Sequence, residues 1–237
     1  EKNKSQFVGH ELKGKKLGVL GLGAIGLMVA NLGIELGMEV EGYDPYLSVD
    51  RAWELSSLVK PAPSLERMLK TSDFITLHVP YSPQTKSFLN KDRINNIKPG
   101  ATLLNFSRDA LVDEESLEIS LNSGQLAKYV TDFPTDQLLS NDKVISIPHL
   151  GASTTEAEDN CAIMIANQIK DFIINGNIKN SVNFPDCSLE RRESSTRLIV
   201  VNKNVPNIIG NVSSILANHK LNILEMTNKS RGDFAYN

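Results

Sequence analysis

The sequence predicts an α/β protein built around a doubly wound parallel sheet. Apolar runs of strand length alternate with amphipathic stretches of helix length, the loops between them are short, and a glycine-rich turn follows the first apolar run. In sheets of this kind, ligands bind at the carboxyl ends of the strands. The side chains that directly follow each strand are therefore the first candidates for chemistry.

The glycine-rich turn is the first segment that indicates a specific chemistry. The apolar residues 17–20 lead into Gly21, Gly23 and Gly26, which open a helix that is predicted to end at Gly37. Gly21 permits a tight turn, Gly23 lets the backbone approach a pyrophosphate, and Gly26 lets the helix pack on the strand. The helix N-terminus adds free N–H groups and the positive end of its dipole. This order of elements predicts a Rossmann-type dinucleotide-binding unit.

Asp44 completes the motif at the end of the second predicted strand, residues 38–43. A carboxylate about 20 residues beyond the glycines can accept hydrogen bonds from both hydroxyls of a ribose. It would repel a 2′-phosphate, so the sequence favours NAD over NADP. The apolar face of the intervening helix is predicted at helical spacing, on Ile25, Val29, Leu32 and Leu36.

The other elements of the first 150 residues follow from the same patterns. Strands are predicted at residues 58–59, 74–79, 101–106, 129–131 and 144–147. Helices are predicted at residues 48–55 and 91–97. A third helix is predicted to start at Ser64, with Leu65, Met68 and Leu69 on its apolar face, and a fourth to run from a cap at Asp113 to Asn122.

The composition argues against several classes of function. Of the 237 residues, 41% are hydrophobic and 22% are charged, which is ordinary for a globular chain of one large or two small domains. The net charge of −3, without a dense block of lysine and arginine, predicts no nucleic-acid partner and no membrane partner. Apolar runs stay short of the ~20 residues that span a bilayer, and residues 1–16 lack a signal-peptide pattern. Cys161 and Cys187 have no metal-type spacing, so free thiols, no metal site and a cytoplasmic location are predicted.

The last third of the chain contains a separate set of elements. A capping box at residues 153–156 predicts a long helix that ends near Gly176. The polar residues 186–195 are predicted to be a linker. The start of a second βαβ unit is predicted from a strand, a helix and a strand at residues 197–201, 207–218 and 221–226.

Polar groups suited to hydride transfer lie at the end of four predicted strands or just after it: His78, Arg108, Asp132 with Asp136, and His149. An imidazole can remove a hydroxyl proton because its pKa lies near neutrality, and a carboxylate beside it can orient the ring. A guanidinium can hold a substrate carboxylate through two parallel hydrogen bonds. By spacing alone, each group has an ordinary alternative, since a loop histidine often faces solvent and a lone arginine is often a solvated charge.

Together these motifs resemble the D-isomer-specific 2-hydroxyacid dehydrogenases. The resemblance covers nearly the whole chain, and the combination is far more specific than any one motif. It is carried by residues 21–26, Asp44, and residues 78–80, 105–108, 111–115, 132–136, 148–154 and 180–185.

The resemblance implies NAD as the cofactor and assigns its contacts. The implied cofactor residues are Gly21, Gly23, Ala24, Ile25 and Gly26 at the pyrophosphate, Asp44 at the adenosine ribose, His78 and Pro80 in the cleft, and Ser107 and Asp132 at the nicotinamide. A register that aligns on Phe133 would put Thr131 in the place of Asp132.

The resemblance also implies the residues of the reaction. His149 is the implied acid/base, and Arg108 is the implied group that binds the substrate carboxylate and carbonyl. Asp136 is the expected partner of His149, where the family has a glutamate in a segment one residue longer. The family's Arg-Gly is here Arg108-Asp109, which a loop should tolerate.

The implied activity is oxidation of 3-phosphoglycerate to 3-phosphohydroxypyruvate with NAD, the first step of L-serine biosynthesis, by a homo-oligomer. Two alternatives remain open. One is a dehydrogenase of another 2-hydroxy acid, such as glycerate. The other is an NAD(H)-sensing interaction protein, like the transcriptional corepressors that share this fold.

From Arg197 onward the chain resembles an ACT domain, a small regulatory module that binds ligands. The positions that match an L-serine effector site are Asn202, Asn204 and Asn222, while Asn207 replaces the usual glycine. The alternative is that these asparagines only end strands and start turns. The expected organisation is a partial chain, inactive alone, with remnants of a substrate domain at 1–11 and 151–185, an NAD-binding domain at 12–150, a linker at 186–195 and a partial ACT-like domain at 196–237.

Overall fold

The computed structural model describes residues 9–237 and divides the chain into two compact units, Glu1–His149 and Leu150–Asn237. The predicted substrate-domain remnant at residues 1–11 therefore lies partly outside the described residues.

The first unit contains a seven-stranded parallel sheet with the strand order β3-β2-β1-β4-β5-β6-β7. The order reverses between β1 and β4, and a crevice for a ligand forms at that point in doubly wound sheets. This confirms the predicted Rossmann-like α/β fold. The strands are β1 Lys16–Leu20, β2 Glu39–Tyr43, β3 Lys60–Pro61, β4 Phe74–Leu77, β5 Ala101–Asn105, β6 Leu126–Thr131 and β7 Val144–Ser146.

Helices connect these strands, and polar side chains cap several of them as the sequence predicts. Ser48, Ser64 and Asp113 each accept a hydrogen bond from a backbone N–H of the first helical turn, which removes an otherwise unpaired donor. The helices are α1 Ala24–Glu35, α2 Val49–Glu54, α3 Leu65–Thr71, α4 Lys91–Asn95, α5 Glu114–Ser123 and α6 Asp136–Leu139, with a 3₁₀ turn at Asp109–Leu111.

The core of the first unit consists of two buried apolar clusters. The larger one joins β4, β5 and β6 to α3 and α5, and it contains the predicted face of α3: Leu65, Met68 and Leu69. The smaller one is centred on Val19 and Val40 in β1 and β2. Burial of these strands on both faces explains why they are continuous apolar runs.

The predicted apolar face of α1 is wrong for three of its four residues, and only Val29 is half-buried against the smaller cluster. Ile25, Leu32 and Leu36 are exposed, whereas the buried positions of the helix are Gly26, Leu27, Ala30 and Gly33. The helix lies so close to the sheet that a Cβ at Gly33 would stand 2.9 Å from the side chains of both Leu17 and Val40. Close packing therefore places small residues against the sheet, and larger apolar residues are left on the outer surface.

Some predicted strands are shifted. The third strand is Lys60–Pro61 and not residues 58–59, because Lys60 and Pro61 are the residues in register with β2. The fourth strand ends at Leu77, before the predicted end at residue 79. The sixth begins at Leu126, earlier than predicted, because Leu126 pairs with Ala101, and a bulge accommodates one extra residue before Lys128 pairs with Thr102.

The second unit, taken by itself, contains the long helix α7 Thr155–Asn175, the helix α8 Ile208–Asn218 and a three-stranded antiparallel sheet. Its strands are β8 Val201–Lys203, β9 Lys229–Arg231 and β10 Phe234–Tyr236, in the order β8-β10-β9.

Three predictions for the second unit are corrected. Residues 221–226 form no strand, and the strand predicted at residues 197–201 is found at Val201–Lys203, because β8 pairs with the hairpin strand β10. The capping box predicted from Ser153 is replaced by a cap at Thr154, whose hydroxyl accepts from Ala157 N–H.

Within residues 9–237, no helix has both the length and the apolar character that are needed to cross a membrane. The described part of the chain also brings together no group of three histidine, cysteine or carboxylate side chains that could hold a metal ion.

Candidate active site

The β1–α1 turn has a shape that only glycine permits. Gly21 has a φ of +88°, and a Cβ there would lie 2.7 Å from the carbonyl oxygen of His78. A Cβ at Gly26 would lie 1.9 Å from the carbonyl oxygen of Gly21. By contrast, a Cβ at Gly23 would have no protein atom within 4 Å. The turn therefore presents an open backbone surface at the N-terminus of α1, where an anion is favoured.

Asp44 lies next to this surface, at the carboxyl end of β2. Its Oδ2 accepts from Leu22 N–H at 2.8 Å, and its Oδ1 accepts from Tyr46 N–H at 2.9 Å. Each carboxylate oxygen retains a further lone pair, so the oriented carboxylate can still accept from ribose hydroxyls. The first turn of α1 carries no acidic residue that would repel a phosphate. These features fit a dinucleotide.

His78 follows β4 and packs against the glycine turn. Its backbone N–H donates to the carbonyl of Leu20 at 2.7 Å, and its ring Nε2 lies 3.0 Å from Thr76 Oγ1. Burial lowers the pKa of His78 to about 4, so the ring is neutral at physiological pH. Pro80, two residues further on, is exposed at the same end of the strand.

We expect this lowered pKa to make the stability depend on pH. The unfolded chain binds a proton at His78 below its ordinary pKa of 6.5, and the folded chain does so only near 4. The contribution of neutral His78 to the free energy of unfolding is therefore complete above pH 6.5. As the pH falls towards 4, the free energy of unfolding decreases by up to roughly 3 kcal/mol. Urea unfolding at pH 7 and pH 4 would measure this loss, and His78→Gln should reduce it. An equal loss in the variant would contradict the assignment.

The turn after β5 carries Ser107 and Arg108. Ser107 Oγ donates to the carbonyl of Leu77 at 2.7 Å, which ties the turn to the end of β4. The side chain of Arg108 is exposed, and its Cζ lies 5.5 Å from the centre of the Phe133 ring. A guanidinium in this position can reach a ligand in the crevice and bind a carboxylate bidentately.

His149 and Asp132 form an ion-pair geometry beside this arginine. The distance from His149 Nδ1 to Asp132 Oδ2 is 2.7 Å, and the His149 and Phe133 rings lie 4.4 Å apart. The Asp132 side chain is 9% exposed and the His149 side chain is 53% exposed. An ionised carboxylate can only accept, so Nδ1 carries the proton and Nε2 is left free to act as a base.

The structure replaces Asp136 by Asp132 as the carboxylate beside His149. Asp136 is the first residue of α6, it is exposed, and the cap of that helix is Thr135. Because α6 begins at Asp136, this residue belongs to the first turn of the helix and is not the carboxylate that contacts His149. Thr131, the alternative to Asp132 in the other register, is buried and accepts from Phe133 N–H at 3.1 Å.

The second oxygen of Asp132 is also informative. Among the described residues, no hydrogen-bond partner contacts Asp132 Oδ1, although the atom is buried. A buried carboxylate oxygen without a donor is costly, so a donor from a bound ligand would be favourable there. The orphaned oxygen fits the predicted contact between Asp132 and a nicotinamide amide.

The three asparagines predicted for an effector are in the second unit. Asn202 Nδ2 donates to the Lys203 carbonyl at 2.6 Å, and Asn204 Nδ2 donates to the Gly232 carbonyl at 3.1 Å. Asn222 lines a cavity of about 500 Å³. The lining of this cavity includes neither Asn202 nor Asn204, so the structure does not bring all three together there.

Sequence reasoning assigned no role to three residues that shape the site: Asn105, Tyr129 and Phe133. Asn105 and Phe133 lie in segments that carry the family resemblance, but the resemblance gave neither of them a function. Tyr129 and Phe133 are aromatic residues in or next to a buried strand, a pattern that usually indicates core packing.

Comparison with known proteins identifies the family. Residues 1–151 match the model of the D-isomer specific 2-hydroxyacid dehydrogenase, NAD binding domain. The chain belongs to this family. The match confirms the predicted resemblance and NAD as the cofactor of the domain.

Individual relatives agree with this family. A D-3-phosphoglycerate dehydrogenase of Haemophilus influenzae is 36% identical over 232 residues, which cover 93% of this chain and 55% of that protein. D-3-phosphoglycerate dehydrogenase 1 of Saccharomyces cerevisiae is 32% identical, over 95% of this chain and 52% of that protein. A solved D-2-hydroxyisocaproate dehydrogenase is 30% identical with a TM-score of 0.65, over 73% of this chain and 57% of that one. The chain thus spans about half the length of the curated relatives it matches.

Proposed function

We propose that the protein containing this chain oxidises 3-phosphoglycerate to 3-phosphohydroxypyruvate with NAD, as the first step of L-serine biosynthesis. The observation that carries the proposal is the pair of His149 and Asp132, at 2.7 Å, with the Arg108 guanidinium close to the same Phe133 ring. The D-3-phosphoglycerate dehydrogenases among the relatives support the choice of substrate.

Three residues of this chain would each have a separate role in the reaction. NAD, when bound, supplies the acceptor for the hydride that leaves C2 of the substrate. His149 Nε2 takes the proton of the C2 hydroxyl, and Asp132 stabilises the resulting imidazolium through Nδ1. Arg108 holds the carboxylate, which fixes C2 relative to His149. In the reverse direction the protonated His149 returns the proton to the carbonyl oxygen.

The cofactor would lie along the edge described above. Asp44 would accept from the adenosine ribose, and the backbone around Gly23, Ala24 and Ile25 would contact the pyrophosphate. His78 and Pro80 would line the cleft as uncharged neighbours. Ser107 and the orphaned Oδ1 of Asp132 would face the nicotinamide end, and these are the remaining predicted cofactor contacts.

The decisive experiment is a substrate comparison with the complete protein. NADH oxidation is measured with 3-phosphohydroxypyruvate, with unphosphorylated hydroxypyruvate and with 2-oxoisocaproate, and His149→Asn supplies the background rate. We expect kcat/KM to be at least about 10²-fold higher for the phosphorylated acid, because a phosphate adds charge-assisted hydrogen bonds. A preference for 2-oxoisocaproate would favour the second candidate, a dehydrogenase of apolar 2-hydroxy acids, which the likeness to D-2-hydroxyisocaproate dehydrogenase supports.

We also propose that the protein is a homo-oligomer that associates through the outer face of α1. Met28, Leu32 and Leu36 are 69%, 57% and 49% exposed and lie on one side of this helix, and an apolar face of this kind is unusual on a monomer. A two-fold contact between two copies would bury the same face in both. We expect Leu32→Glu to halve the mass measured by sedimentation equilibrium, while Glu35→Gln on the same helix leaves it unchanged. A wild-type chain that sediments as a monomer would contradict this proposal.

We further propose that residues 196–237 belong to an ACT-like regulatory domain that responds to L-serine. The helix α8 following β8, with Asn202 and Asn204 at that strand and the turn after it, supports this assignment. The test is calorimetry of the complete protein with L-serine, with D-serine as the control. Heat from L-serine alone is expected, and its absence would remove the effector from the proposal.

A further inference from the structure

The turn that carries Arg108 is held by three neighbouring strands. Ser107 Oγ donates to the carbonyl of Leu77, the last residue of β4, at 2.7 Å. Asn105, the last residue of β5, accepts from Ser107 N–H at 3.1 Å and donates to the carbonyl of Arg108 at 2.8 Å. The Asn105 amide nitrogen also donates to the hydroxyl of Tyr129, in β6, at 3.1 Å. The backbone of Arg108 is therefore fixed. Its guanidinium is exposed, and Nη1 donates to the carbonyl of Ser107 at 2.6 Å, which ties the side chain to the same turn.

Asn105 is the centre of this network, and its surroundings make it sensitive. The residue is 0% exposed, and both N–H donors and the carbonyl oxygen of its amide are used. Water cannot readily replace a lost partner at a buried amide, so each lost partner leaves a costly unpaired group. The position of the amide is thus set jointly by the Arg108 carbonyl and by Tyr129.

Tyr129 is a suitable anchor for this amide. It is 2% exposed, and burial raises the pKa of its hydroxyl, so the group stays neutral over the working range of pH. A cavity of about 100 Å³ lies beside the ring and is also lined by Asp109, Glu114 and Phe133. If the hydroxyl were removed, nothing rigid would fill its place, and the Asn105 amide could turn away from the Arg108 carbonyl.

We propose that Asn105 and Tyr129 are positioning residues that set the Ser107–Arg108 turn and thereby the affinity for the carboxylate of a 2-oxo or 2-hydroxy acid. The second half of this statement rests on the proposed function. Both residues act through the backbone of the turn, and the guanidinium of Arg108 makes the contact with the acid.

Tyr129→Phe tests this proposal because it removes one hydroxyl and keeps the ring. The first measurement is amide hydrogen exchange at Ser107, whose N–H is bonded to Asn105 and reports on the turn without any turnover. We expect exchange there to be roughly 3- to 10-fold faster, which corresponds to the loss of one ordinary hydrogen bond. The second measurement, on the complete protein, is the KM for 3-phosphohydroxypyruvate, which should rise by a similar factor while kcat at saturating substrate and NADH changes less than about twofold.

Tyr236→Phe is the matched control. Tyr236 is also a buried tyrosine, at 1% exposed, and its hydroxyl donates to the carbonyl of Gly176 at 2.6 Å in the second unit. The Tyr236→Phe variant loses a comparable hydrogen bond, but we expect the amide of Ser107 to exchange in it at the wild-type rate. Asn105→Asp keeps the shape of the side chain but removes its donors, so a larger effect on the same two measurements is expected.

Two results would overturn the inference: wild-type exchange at Ser107 in Tyr129→Phe, or the same acceleration in Tyr236→Phe. A rise in exchange with an unchanged KM would overturn the link to the substrate. Failure of the proposed function is a separate observation, namely that the complete wild-type protein does not turn over 2-oxo acids. In that case the exchange measurement still decides whether the pair positions the turn.

Discussion

Asp132→Asn is expected to lower kcat of the complete protein by a factor on the order of 10² to 10⁴ at saturating NADH. The Asp132 carboxylate accepts from His149 Nδ1 at 2.7 Å and is the more deeply buried member of the pair. An amide can present its NH₂ group to Nδ1, which favours the tautomer with the proton on Nε2. In the direction that consumes NADH, His149 must be an imidazolium that returns a proton to the carbonyl oxygen, and without the carboxylate no negative charge stabilises that imidazolium. In the oxidative direction, the altered tautomer also leaves no free Nε2 to take the proton of the substrate.

The matched variant for this experiment is Asp136→Asn, which makes the same chemical change four residues further on. Asp136 is exposed at the start of α6, so its replacement should change kcat less than about twofold. Stopped-flow or steady-state NADH oxidation with 3-phosphohydroxypyruvate gives both values under the same conditions. If Asp136→Asn caused the larger loss, the pairing of His149 with Asp132 would be wrong for the working enzyme.

This contrast shows where sequence reasoning ended. Both carboxylates follow β6 within five residues, and a resemblance to the family favoured the one at the position of its glutamate. The deciding fact is local: Thr135 caps a short helix that takes up Asp136, while Asp132 directly follows the strand and meets His149. The spacing of residues could predict that a carboxylate would be present, but the choice between the two depended on where a four-residue helix begins.

The fold could be predicted from the sequence more fully than the packing of its helices. The alternation of buried strands with capped helices gave the parallel sheet, because each apolar run had to be covered on both faces. The spacing of large apolar residues predicted the wrong face of α1, because it does not take into account how closely the helix approaches the sheet. The sheet accepts Gly26, Ala30 and Gly33 because the helix approaches it closely, and the larger apolar residues were left on the outside.

The antiparallel sheet of the second unit was harder for a different reason. Its strands have three residues each, too short to show a clear alternation, and the hairpin between β9 and β10 turns at Gly232 with a φ of +56°. The sequence Arg231-Gly232-Asp233 is a turn signal, but the residues before the turn, in β9, are polar and exposed. Pairing with β8, which is distant in sequence, decides the structure there.

The glycine turn permits an experiment that separates cofactor binding from folding. Gly23→Ala adds a methyl group where no protein atom lies within 4 Å, and its backbone angles, φ −66° and ψ −166°, are open to alanine. We expect the free energy of unfolding to fall by no more than about 1 kcal/mol, the difference between these residues at a helix N-cap. The methyl group would instead occupy the space of a pyrophosphate, so the affinity for NADH should fall by at least about tenfold.

Gly26→Ala, three residues later, should behave in the opposite way. Its Cβ would lie 1.9 Å from the Gly21 carbonyl oxygen, so the backbone of the turn must move, and unfolding should become easier by about 1–3 kcal/mol or more. Gly9→Ala, which also adds a methyl group in open space, is the control for both variants. Urea unfolding and NADH fluorescence titration of the chain give the two quantities. Wild-type NADH affinity in Gly23→Ala would show that the pyrophosphate does not lie on this turn, because that variant leaves every protein contact of the turn in place.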